Sequence, residues 1–200
     1  MNHPESSMNK AASLKPGRFG MATAWFSLMF ILAVAQRGFC GDAAFTEYQV
    51  KALFLMNFTK YVDWPDTAFA ETNAPIIIGV YGVNNFGDDL PKAVAGRNAN
   101  GRSIVIRQID NTNDLAKCQV LFISRSEEKT QGEILNQLKS SPLLTVGETE
   151  QFTAQGGAIS FVMKDGKVRL KINLSAARQA NLQLSSKLLS VADVVKGKPK

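Results

Sequence analysis

The chain has 200 residues, of which 45% are hydrophobic and 20% charged, and carries a net charge of +6. That length and apolar content suit one domain with a sizeable core and exclude a disordered chain. The cations are scattered except for Lys196, Lys198 and Lys200 in a tail with Gly and Pro, so no stripe for nucleic acid is indicated and no such partner is expected.

The first segment differs from the rest. Lys10, Lys15 and Arg18 precede an uncharged stretch from Phe19 to Gln36 centred on Trp25–Val34, the order of a secretory signal peptide. The apolar centre is shorter than the roughly 20 residues of a membrane helix and ends in small and polar residues. Ala33-Val-Ala35, Gly38-Phe-Cys40 and Gly41-Asp-Ala43 each offer a cut site. The last is favoured, giving a leader over 1–43, a domain over 44–195 and a basic tail over 196–200. Arg37 and Phe39 fit poorly before a lipid-modified Cys40.

Cleavage after Ala43 removes more cations than anions and leaves a mildly basic domain. It also removes His3, the only histidine, which excludes Ser-His-Asp and Cys-His catalysis and histidine-held zinc or haem. No cofactor or metal is expected. Only Cys40 and Cys118 are present. A cut after Ala43 leaves Cys118 alone, whereas a cut after Ala35 allows a Cys40 to Cys118 disulfide in an oxidising compartment.

In the domain, Thr46 caps a predicted helix to about Val62, with Val50, Leu53, Phe54, Asn57, Phe58 and Tyr61 on one face. Ala52, Leu55 and Met56 widen its apolar surface, which suits a central core helix or a helix shared with a second subunit. Trp64-Pro65 ends it. Residues 76–81, 103–109, 120–124 and 143–146 read as buried strands. Helices are expected over about 86–95 and 126–139, with a turn at Asn98-Ala-Asn-Gly101.

Further on, Ala158–Met163 and Val168–Asn173 flank Lys164-Asp-Gly-Lys167, a hairpin signal expected to form an antiparallel edge. Helical segments follow from Ser175 to about Asn181 and from Ser185, the latter with Leu188, Leu189, Ala192 and Val195 on one face. The predicted fold is α/β: a mainly parallel central sheet flanked by helices, with a C-terminal antiparallel hairpin and about six strands.

Chemistry-bearing patterns are few. Gly79, Gly82 and Gly87 match neither a dinucleotide nor a P-loop spacing. Asp88-Asp89, Glu127-Glu128 and Glu148 with Glu150 lie beside helix starts or loops, where carboxylates favour the helix dipole. Ser185-Ser-Lys187 reads as a cap, and the acceptor sequences at Asn57 and Asn173 fall in regular structure.

Several segments nevertheless stand in a telling order: Glu47–Pro65, Ile78–Gly82, Cys118–Ile123, Leu144–Gly147, Gly156–Phe161, Ile172-Asn173 and Ser185–Leu189. The series resembles the YfiR family, a domain of unknown function with periplasmic members. The resemblance implies a periplasmic α/β protein, often a homodimer, without known catalysis. It implies contact with an inner-membrane diguanylate cyclase that is held inactive, restraining cyclic-di-GMP production and biofilm formation. Cys118 matches a recurrent family position whose usual partner cysteine is missing.

The first functional expectation is therefore a periplasmic regulator and not an enzyme, with Leu55, Met56, Leu188 and Leu189 as candidate dimer or partner contacts. The alternative is a small-molecule-binding protein using a loop around Gly82, Asn84 and Asn85 at the strand ends.

Overall fold

The computed structural model describes residues 45–195. The expected leader, with Cys40 and the cut sites, and the tail over 196–200 lie outside the described residues.

Helix α1 (Glu47–Tyr61) begins with a capping box: the Thr46 hydroxyl accepts from the Gln49 N–H at 3.2 Å, and the Gln49 side chain accepts from the Thr46 N–H at 3.0 Å. These bonds satisfy two donors that a helix start leaves free. Its buried face is Lys51, Ala52, Leu55, Met56, Phe58 and Thr59, rotated from the predicted stripe. Val50, Leu53, Phe54, Asn57 and Tyr61 are only half-buried. Packing on both the sheet and the next helix selects the rows Lys51-Leu55-Thr59 and Ala52-Met56.

Among the described residues ten strands form, where about six were expected. β1 (Val62–Asp63) pairs with β9 (Gln183–Leu184) in a small separate sheet. The main sheet takes β2 (Ile76–Tyr81), β3 (Asn98–Ala99), β4 (Arg102–Ile109), β5 (Val120–Ile123), β6 (Leu144–Gly147), β7 (Ile159–Lys164), β8 (Lys167–Asn173) and β10 (Ala192–Val195). Its spatial order is β10-β8-β7-β6-β5-β2-β4-β3. Neighbours from β4 to β7 are parallel; β3 with β4 and β7 with β8 are antiparallel.

Helices cover both faces. α1, α2 (Asp89–Val94), α4 (Leu174–Gln179) and α5 (Ser186–Leu189) contribute to one core with Ile78, Val80, Phe122, Val146 and Phe161. α3 (Gln131–Gln137) sits in a second core with Leu121, Ile123 and Phe152. The Phe152 ring lies between Gly147 and Gly157, where any side chain would overlap it.

Several predicted bounds move for local reasons. α2 starts at Asp89 because the Asn84 side chain accepts from the Phe86 N–H and turns the chain first. Ser126 lies in a 3₁₀ turn over Arg125–Glu127, and α3 begins only at Gln131. β4 alternates between half-buried and exposed positions as far as Arg107 and buries only Ile109, so it is not a fully buried strand. The expected C-terminal helix stops at Leu189, and Ala192–Val195 becomes β10, parallel to β8. The hairpin is therefore not the sheet edge, since β10 lies outside it.

β2 is followed by β4 on one side, and the chain later returns to place β5 on the other. Such a switch in strand order leaves the loops after the two strands diverging at one end of the sheet.

Candidate functional site

Three loops leave the C-terminal ends of β2, β5 and β6 side by side, and the first turn of α1 lies against them. Lys51 is 2% exposed and Glu148 3% exposed. The Lys51 Nζ donates to Glu148 Oε2 at 2.5 Å and also pairs with Glu47, one turn earlier on α1. It stands 4.5 Å from the Tyr48 ring centroid, close enough for a cation–π attraction.

Glu148 gathers further donors. The Tyr48 hydroxyl donates to its Oε2 at 3.1 Å and the Arg125 N–H to its Oε1 at 2.9 Å. The Arg125 guanidinium donates to its backbone carbonyl at 3.0 Å. Asn85 Nδ2 donates to the Tyr48 Oη at 3.1 Å. One carboxylate thus joins α1, the β2 loop, the β5 loop and β6. A buried charge needs such partners, because its desolvation otherwise costs several kcal/mol.

The electrostatics hold Lys51 charged. Burial works to lower the Lys51 pKa, but hydrogen bonds to Glu148 and then Glu47 outweigh it and raise the value. Burial, then the charge of Glu148, raises the Tyr48 pKa. Lys51 is accordingly held as an ammonium and Tyr48 as a phenol. Neither is poised as a base or nucleophile. Among the described residues, no three His, Cys, Asp or Glu side chains gather as metal ligands.

Several polar groups of the loop expected to bind a ligand have partners within the domain. Gly82 adopts φ +86°, and a Cβ there would overlap Ser126 and Glu127. Its carbonyl accepts from Gln108 Nε2 at 2.9 Å. Asn84 Oδ1 accepts from the Phe86 N–H at 3.0 Å, and Asn85 is committed to Tyr48. An open depression of about 380 Å³ lies elsewhere, at the turn end of the β7–β8 hairpin beside Ser190 and Val191.

The candidate contacts divide differently from expectation. Leu55, Met56 and Leu188 are 0%, 2% and 3% exposed, and Leu189 is half-buried against the same core. Burial within the domain corrects the expectation that Leu55, Met56 and Leu188 present a free apolar surface. The exposed large apolar side chains near the three loops are instead Phe45, just before α1, and Val83, in the β2 loop. The bond from Asn85 to Tyr48 ties their two segments together. Cys118 is buried and has no disulfide partner among the described residues; burial pushes its thiol pKa to about 11, and its sulfur fills the space where a Cβ on Gly79 would lie.

Sequence reasoning missed Lys51 and Tyr48, and assigned Glu148 to a loop. One signal was present: Lys51 stands four before Leu55 and seven before Phe58, on the row that the fold buries. Its partner Glu148 is 97 residues away, which no local pattern connects.

A mostly parallel sheet with helices on both faces, closed at one end by a buried ion pair, defines an α/β sandwich domain. The chain belongs to the YfiR/HmsC-like family, which it matches over residues 48–193. That family consists of periplasmic regulatory domains. No curated protein matches the chain. Among solved structures, the ABC domain in complex with L-Trp from Streptococcus pneumonia has a TM-score of 0.50 at 13% identity over 72% of this chain. A conserved domain protein from Vibrio cholerae O1 biovar eltor has a TM-score of 0.45 at 15% identity over 60%. This chain spans 60% and 54% of those two chains. The first likeness is one of fold. Among the described residues, no helix is long and apolar enough to cross a membrane.

Proposed function

We propose that the chain is exported to the periplasm by its leader and there restrains an inner-membrane diguanylate cyclase, or a related membrane signalling protein, by direct contact. The observation that carries this reading is the family match across residues 48–193, nearly the whole described domain. The site geometry supports it: the polar groups at the strand ends bind one another, fixing a rigid rim that carries Phe45 and Val83. Exposed apolar side chains on a rigid base suit a protein contact.

Capture from solubilised inner membranes tests the reading. The exported protein is expected to retain a diguanylate cyclase or related signalling protein, and deletion of its gene to raise cyclic-di-GMP. Unchanged cyclic-di-GMP together with no membrane signalling protein retained would overturn it. Self-association into a homodimer is part of the same proposal and is read by light scattering, with exposed surface rather than Leu55 and Met56 at the contact.

A further inference from the structure

The main sheet ends on β3, and β3 is too short to cover its neighbour. Asn98 pairs with Ser103 and Ala99 with Arg102. Arg97 turns away, its N–H donating to the Val94 carbonyl and its guanidinium to the Met56 sulfur at 3.8 Å. From Ile104 onward the outer side of β4 has no strand beside it among the described residues. The chain remains extended beyond the strand, with Asn111 at φ −120° and ψ 130°, until a 3₁₀ turn over Thr112–Lys117. Such an edge is a template for another strand unless something blunts it. From Ile104 to Asn111 there is no proline, glycine or lysine, and Arg107 and Asp110 are the only charges. Val105, Arg107, Gln108, Asp110 and Asn111 are exposed.

The turn between β3 and β4 fixes which backbone groups this edge offers. Asn100 and Gly101 take φ +51° and +77°, the left-handed pair of a two-residue hairpin turn, in which Ala99 and Arg102 exchange both of their bonds. Successive residues of a strand direct these groups to opposite sides. Arg102 therefore directs its N–H and C=O outward, and so do Ile104, Ile106 and Gln108, while Ser103, Val105 and Arg107 serve β2.

The open stretch then selects one register for antiparallel pairing with a second copy about a two-fold axis. An axis at Ile106 puts Ile109 of the copy opposite Ser103, where Asn98 already lies. An axis at Arg107 sets that guanidinium against its own counterpart, which is repulsive. An axis at Gln108 meets neither obstacle. Gln108 then faces Gln108, Arg107 faces Ile109, Ile106 faces Asp110 and Val105 faces Asn111. The outward groups of Ile106, Gln108 and Asp110 meet one another, giving about six backbone hydrogen bonds across the seam.

We propose that two copies of this chain pair the open edges of β4 about Gln108, joining their eight-stranded sheets into one. What favours a second copy as the occupant is that the register left free by β3 brings no like charges together. The proposal names the contact for the self-association put forward above and rests on that reading. Contact with a membrane signalling protein is read separately, by capture.

The test is sedimentation velocity of the protein purified after export, over roughly a hundredfold range of concentration, with amide hydrogen exchange on the same samples. The wild type is expected to pass from monomer to dimer. Gln108→Lys and Gln108→Glu each set like charges face to face and should weaken the dimer about fivefold, whereas their equal mixture should associate at least as strongly as the wild type. Any loss of the Gln108 bond to the Gly82 carbonyl is present in the mixture too, so recovery there reads the seam alone. Exchange needs no variant: Ile106 and Gln108 should gain protection with concentration, while Val105 and Arg107, bonded to β2, stay protected throughout. A wild type that is monomeric at every concentration overturns the proposal together with self-association. Equal association by the wild type and both variants, or a mixture no stronger than either variant alone, overturns the β4 seam and leaves a dimer through another surface. Protection of Ile106 and Gln108 that appears only with solubilised membranes would assign the edge to a strand of another protein and also overturn it.

Discussion

Lys51 remains in the interior because two carboxylates and an aromatic face replace the water it lost. Removing it strands Glu148, which keeps only the Tyr48 hydroxyl and the Arg125 N–H. Lys51→Met is therefore expected to cost about 3–5 kcal/mol in urea unfolding. Glu148→Gln should cost less, because Glu47 still holds the ammonium. Lys51→Met/Glu148→Met should cost clearly less than the sum of the corresponding single changes; strict additivity would show that the two do not act as a unit. Alkaline pH gives a second reading. The folded Lys51 has a raised pKa, so its contribution is whole below its ordinary 10.5 and is lost as pH climbs through the folded value. For Tyr48 and Cys118 the fold disfavours the anion, so the unfolded chain loses its proton first, from their ordinary values of 10.0 and 9.0 upward. All three signs agree. Unfolding free energy should begin to fall near pH 9 through Cys118, whose folded pKa is about 11, and steepen above pH 10. Cys118→Ala should remove the early part of that decline in chemical unfolding between pH 8.5 and about 10.5; an unchanged slope there would count against the buried thiol.

At the scale of elements, the hairpin and α1 show what local sequence can carry. Asp165 and Gly166 take φ +52° and +68°, the two left-handed positions of a type I′ turn, and Lys164 pairs with Lys167 across it. That turn was legible because few residues tolerate both angles. Gly166→Ala is expected to lower stability by about 1 kcal/mol, or roughly 2–4 °C in Tm for a domain of this size. A variant melting at the wild-type temperature would remove the turn from the account. The start of α1 was equally legible, since Thr46 and Gln49 form the cap from within four residues. Its rotation was not: the buried row was chosen by the sheet and α2 beneath it, and it places a lysine where an apolar residue was expected. Residues 185–195 failed for another reason. Leu188, Leu189, Ala192 and Val195 satisfy a helical stripe, yet Ala192–Val195 also satisfies a strand, and the open side of β8 decided between them. A short apolar run carries both periods until its neighbour is known.

At the scale of the whole molecule, the reversal of strand order between β4, β2 and β5 brings together loops that are far apart in sequence. The buried pair then locks them, so side chains of the protein itself join the loops at the sheet edge where open α/β sheets commonly bind ligands. The fold class was legible from strand and helix alternation, while the rim was not, because it depends on Glu148 meeting Lys51 across the domain. This arrangement separates the residues that hold the fold from those left for a partner, and paired charge substitutions test the separation. Leu55→Glu places a carboxylate in a core where the leucine is fully buried; it should cost several kcal/mol and unfold the protein rather than dissociate a folded dimer. Val83→Glu and Phe45→Glu alter side chains that are 57% and 69% exposed, so each should stay within about 0.5 kcal/mol of the wild type. The same two variants should lose capture of the membrane signalling protein. Folded Val83→Glu and Phe45→Glu proteins that both bind that partner at full strength would remove the rim as its contact, because a new negative charge in a desolvated apolar contact cannot be absorbed without cost.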